Sequence, residues 1–214
     1  MNEPTAQSYP ARLTIDRPGD LDRFSTLLRI FFLIPILVIL ALVSGGGGGS
    51  QFDAETGRRI RDTGTGIALS IGFATALMIL FRQRYPRWWF DFQLALTRFS
   101  YRVGAYAALL RDEYPSTEDE QAVHLELDYP DAKTLNRWLP LVKWLLAIPH
   151  YIVLFFLIVG AAVAVVLAWF AILITGRYPR PLFEYLVGVG RWSLRVGAYA
   201  FLLLTDRYPP FSLS

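Results

Sequence analysis

The chain has 214 residues, 54% of them hydrophobic, and only 18% charged against about 25% in an ordinary soluble domain. Its net charge of +3 comes without an exposed basic patch, which excludes a nucleic-acid surface, and the absence of cysteine excludes disulfides and thiolate metal sites. The mean hydropathy of +0.36 is concentrated in blocks, a pattern expected of a membrane chain.

The first element is an alternating strand at 12–17, RLTIDR, with Leu13 and Ile15 on one face. An apolar block at 27–43 follows, and it is expected to stay in the mature protein as an anchor because no clean cleavage site lies behind it. Pro35 predicts a kink in it, and Arg29 is expected to snorkel to the interface. The glycine-rich segment 44–65 reads as a flexible loop, since five consecutive glycines do not hold a helix. A second charge-free block covers 66–81 and ends at Arg82, Arg84 and Arg87, with Trp88 and Trp89 as an aromatic belt. The helix at 90–110 is apolar with a narrow polar stripe.

The same order then recurs. A strand at 124–128, HLELD, is followed by an apolar run at 139–175. One span does not use so long a run, so it reads as two, at about 139–158 and 160–175, meeting near Val159 and Gly160. A second striped helix covers 183–204. RYPR, VGAYA and a terminal Tyr-Pro occur in both halves in the same order, which reads as an internal repeat with units 1–115 and 116–214. Each strand is alone in its unit, so its backbone is expected to pair with the strand of the other unit, or else with a partner chain.

The two stripes are Asp91, Arg98, Arg102 and Glu184, Arg191, Arg195, with identical spacing on one helix face. Arginine stays charged and orients anions rather than shuttling protons, so these six residues read as a lipid or inter-unit anchor. No catalytic, cofactor-binding or metal residue is expected: the chain carries no HExxH or GxSxG, and His124 and His150 read as isolated structural histidines.

The segments 125–130, 143–150, 176–180 and 191–199, with the closing TDRYPP at 205–210, resemble a bacterial membrane family known as domain of unknown function 4389. The first half resembles a divergent second copy, with Arg29 where Lys143 would align and Ile36 where His150 would. The resemblance implies a bacterial inner-membrane protein and supplies no activity.

The fold class expected is an all-helical integral membrane protein built from a duplicated helical hairpin, each with a short strand before it and an amphipathic arginine-bearing helix after it. Four spans are expected, or six if the striped helices cross. The expected function is that of a nonenzymatic accessory, scaffold or lipid-contacting component, with a small transporter or channel subunit as the alternative. The expected partners are membrane lipids, anionic ones included, and a membrane-protein partner or second copy of the chain. The expected location is the inner membrane, multi-pass.

Overall fold

The computed structural model describes residues 9–44, 50–52, 59–61, 67–117 and 119–214. In chain order these form β1 (Ala11–Ile15), α1 (Arg23–Ser44), β2 (Ser50–Phe52), β3 (Arg59–Arg61), α2 (Ile67–Arg82), α3 (Arg87–Ala107), β4 (Val123–Leu127), α4 (Pro140–Leu146), α5 (Ile148–Thr175) and α6 (Arg180–Ala200).

The two alternating strands pair with each other. β1 and β4 run antiparallel, with Leu13 opposite Leu125, Ala11 opposite Leu127 and Ile15 opposite Val123. Their odd-numbered residues are buried and their even-numbered residues exposed, as a period of two requires. On the exposed face Arg12 stands opposite Glu126 and reaches it at 3.1 Å, and it also holds Asp128 at 2.8 Å.

The helices cover this ribbon crosswise. α3, from the first half of the chain, packs on β4, and α6, from the second half, packs on β1. Each begins after a proline in extended conformation, Pro86 and Pro179, which stops a helix from running in from the preceding segment. The core joins the two halves through Leu13, Leu125, Ile79, Ile172, Tyr178 and Leu194. α1 starts at Asp22, whose carboxylate accepts the backbone N–H of Phe24 at 3.1 Å and of Ser25 at 3.2 Å. α5 ends at Gly176, at φ 74, a left-handed cap that glycine adopts without strain.

The second apolar run does not divide near its middle. The break expected near Val159 and Gly160 falls at Ala147, just ahead of Pro149, and α5 then continues for 28 residues. Gly160 serves close packing instead. A Cβ there would lie 2.6 Å from the Tyr185 hydroxyl, which donates to Leu157 O at 2.9 Å. In the first half, α1 bends by 52° between Arg23–Arg29 and Phe31–Leu40. Pro35 explains the place, because its ring displaces the carbonyl four residues earlier, that of Phe31. Within 44–65, β2 and β3 form a small antiparallel pair where a loop was expected, and the glycine run 45–49 lies outside the described residues.

These elements correct the expectation of an all-helical, multi-pass inner-membrane protein with four or six spans. A span needs about 20 apolar residues. α4 has 7, the apolar helix Ile71–Arg82 is also too short, and among the described residues one helix, α5, is long and apolar enough to cross a membrane, or two if bent α1 is a single span. The readings that rested on several spans are withdrawn with it. These are the integral lipid-contacting accessory or scaffold, the small transporter or channel subunit, and the partners expected in a bilayer, namely membrane lipids, a membrane-protein partner or a second copy.

Three tyrosines, Tyr85 and Tyr178 buried and Tyr101 half-buried, tie the core to backbone carbonyls: Tyr85 to Leu202 O at 2.9 Å, Tyr178 to Ala108 O at 3.1 Å and Tyr101 to Gly190 O at 3.3 Å. Burial raises the pKa of all three above the ordinary tyrosine value. Above about pH 10 the unfolded chain loses these protons while the folded chain keeps them, so stability falls as pH rises through that range. Absorbance at 295 nm should therefore show part of the tyrosine ionising together with loss of near-ultraviolet circular dichroism. Smooth ionisation of every tyrosine near pH 10 in a folded chain would contradict this burial.

Candidate functional site

The arginine stripes face the strands. Arg191 Nε donates to Leu13 O at 2.9 Å, and Arg98 Nε donates to Leu125 O at 2.9 Å. One turn on, Arg195 Nη2 donates to Ser212 O at 2.5 Å, and Arg102 Nη1 donates to Ser116 O at 2.7 Å. The helix of each half thus binds the strand of the other by a repeated bond, and then the segment that follows the helix itself.

The acids of the stripes stand apart. Asp91 and Glu184 are exposed, and Glu184 pairs with Arg180 at 2.6 Å, one turn before it on α6. Among the described residues none of Arg98, Arg102, Arg191 and Arg195 makes an ion pair. Their carbonyl partners offer dipoles, which offset a full charge only in part.

Each arginine pair lines a cavity at the edge of the ribbon. The one beside β1, of about 340 Å³, is lined by Tyr9, Arg12, Thr14, Arg191, Arg195 and Ser214, with Ala11 and Leu13 beneath. The one beside β4, of about 250 Å³, has Gln121, His124 and Glu126 in the places of Tyr9, Arg12 and Thr14, together with Arg98, Arg102 and Glu120. The walls therefore differ in charge. The β4 cavity carries two glutamates, and the β1 cavity has no acidic side chain among its lining residues.

Within the β1 cavity Arg195 is 8% exposed, and its Nε is buried without a hydrogen-bond partner. Burial lowers its pKa, the Tyr9 hydroxyl acts in the opposite direction, and the neighbouring positive charge of Arg191 lowers it further. Tyr9 caps the pair, donating to Arg195 O at 3.3 Å and Arg207 O at 3.2 Å. Arg12 is already engaged by Glu126 and Asp128, so Arg191 and Arg195 are the uncompensated charges.

Of the two histidines, His124 lines the β4 cavity and His150 lies away from both arginine pairs. His124 contacts Asp16 at 3.3 Å on the exposed ribbon face. His150 is buried, accepts Trp192 Nε1–H at 3.0 Å on Nδ1 and stacks on Phe211 with ring centroids 4.0 Å apart. No group of three metal-ligating side chains occurs among the described residues.

The sequence reading missed two buried cations. Arg29, expected to snorkel, is 1% exposed and pairs with Asp112, with its guanidinium 4.6 Å from the Tyr106 ring centre. Lys143 is 0% exposed, pairs with Asp206 at 2.7 Å and lies 5.2 Å from the Tyr199 ring centre. The available signal was the aspartate two residues before each closing Tyr-Pro, Asp112 and Asp206, which repeats with the cations.

Residues 138–212 match the model of a protein family described as Domain of unknown function (DUF4389). The match takes in α4, α5 and α6, with Lys143, Arg191 and Arg195, and covers about a third of the chain. No curated protein matches the chain, and no solved structure does.

Proposed function

We propose that the chain is a binding protein rather than an enzyme, and that the cavity between β1 and α6 takes a small oxyanion, a phosphate or carboxylate group. One observation carries this reading: two adjacent arginines, one of them nine-tenths buried, line a cavity without an acidic side chain and have no counter-ion in the described chain. A guanidinium has five donors. Arg191 uses Nε on Leu13 O and keeps its terminal nitrogens for a ligand, and paired guanidinium groups match the planar geometry of such anions. Arginine holds and orients an anion but does not exchange a proton near neutral pH, which favours binding over catalysis.

The chain also reads as a tandem duplication in which the first half is a divergent copy of the family segment. The paired bonds Arg98 to Leu125 and Arg191 to Leu13 support this, as does the Arg29–Asp112 and Lys143–Asp206 correspondence. On this reading the two cavities are diverged copies, and the one beside β4 carries its own acids in place of a bound anion.

Titration calorimetry of the full chain with inorganic phosphate, and separately with acetate, tests the proposal. Saturable binding is expected, weakened about ten- to a hundredfold by Arg191→Gln, since a charge-assisted hydrogen bond is lost. Absence of binding, or binding that Arg191→Gln leaves unchanged, would overturn it.

A further inference from the structure

A second cavity, of about 280 Å³, lies between α1 and α5 and shares no residue with the arginine pockets. Its walls are Leu33 from α1, Val165, Val166 and Trp169 from α5 and Leu109 from the turn after α3, and Arg29 is its one charged residue. We infer that this cleft binds a small, neutral, mainly aliphatic molecule carrying one hydrogen-bond acceptor oxygen, such as a ketone, ester or amide carbonyl.

The polar groups of the cleft leave one donor unused. Thr26 donates its hydroxyl to Asp22 O at 2.8 Å, and Trp169 Nε1 donates to Thr26 O at 3.3 Å. Arg29 donates through Nη1 to Tyr106 O at 3.3 Å and Arg111 O at 3.0 Å, and Nη2 pairs with Asp112. Arg29 Nε is buried and has no partner. Buried donors are almost always satisfied, so an unpaired one at an apolar cavity marks the place of an acceptor.

Charge sets the ligand's class. Asp112 already compensates Arg29, so an anionic head would meet an aspartate and lose its hydration among apolar walls. A neutral carbonyl satisfies Nε without either penalty. The volume lies near the lower end for ligand sites, which favours a short chain.

The other half provides an internal control. Around Lys143 the same cation, carboxylate and tyrosine meet, but the lysine is fully buried and donates to Thr205 O at 2.9 Å. There α2 closes in at Gly72, where a Cβ would lie 3.1 Å from Phe201 O. Lysine has no counterpart of Nε, and Lys143 leaves no orphan donor.

The test titrates the full chain with 2-heptanone, n-heptane and heptanoate, reading tryptophan emission against a Trp169→Phe control. A saturable change is expected with 2-heptanone, and binding about tenfold weaker with n-heptane and with heptanoate. Arg29→Lys keeps the ion pair in the form that Lys143 and Asp206 already use, but removes Nε; 2-heptanone should then bind no better than n-heptane. Val165→Phe should abolish binding of all three by filling the cleft, and it tests the location even if Arg29→Lys fails to fold. Equal affinities for ketone and alkane in the unaltered chain, discrimination retained in folded Arg29→Lys, or binding retained in Val165→Phe would each overturn the inference.

Discussion

Asp206→Ala should destabilise the chain by about 3–5 kcal/mol, the cost of leaving a buried charge without its partner. Lys143 is 0% exposed, and its remaining contacts would be Thr205 O and the face of Tyr199. Burial already lowers its pKa, and Asp206 is what opposes that shift. Lys143→Met should cost less, because Asp206 keeps a side chain 27% exposed and accepts the Asn136 N–H at 2.7 Å, so it returns to water with a partner. The double replacement should recover much of the loss, since it removes both charges together. Urea unfolding of the two single variants and the double variant measures all three. A loss below about 1 kcal/mol for Asp206→Ala would mean that Lys143 reaches solvent in the native state.

Thr14→Glu should abolish or weaken phosphate binding about a hundredfold while leaving the fold intact. Thr14 is on the exposed face of β1 and lines the cavity with Arg191 and Arg195. A glutamate there would supply the counter-ion that the bound anion supplies on the proposed reading, as Glu126 stands at the matching position of the other cavity. The converse change, Glu120→Gln with Glu126→Thr, removes both acids from the β4 cavity and should add a second, weaker binding step. Calorimetry reads both. Unaltered phosphate affinity in Thr14→Glu would place any bound phosphate elsewhere on the chain.

The striped helices were legible because their signal is local. A proline before each and polar positions spaced by seven and four put Arg191 and Arg195 on one face before any neighbour is known. The alternation of RLTID and HLELD similarly marked both strands, and the rule that an isolated strand leaves its backbone unpaired pointed to their pairing. The bond that each arginine makes was not legible. Arg191 meets Leu13 across most of the chain's length, and no local pattern encodes which backbone carbonyl a guanidinium will reach.

The long apolar run shows the same division from the other side. Composition established that 139–175 is helical and apolar, but hydropathy carries no information on where a helix breaks. A break near Gly160 was expected because the run is too long for one span, yet Tyr185 from α6 lies over this glycine and makes its missing side chain a packing requirement. Arg29 was expected at the interface for a similar reason: a cation beside an apolar block is ordinarily an interfacial one. Its partner Asp112, like Asp206, the partner of Lys143, lies far along the chain in its half. By itself the sequence determined most of the helical and strand segments and the faces on which the charges lie, because these follow from spacing within a few residues. The tertiary structure alone decided which charges are neutralised inside the chain and which are left facing a cavity, because that depends on partners brought together from distant segments.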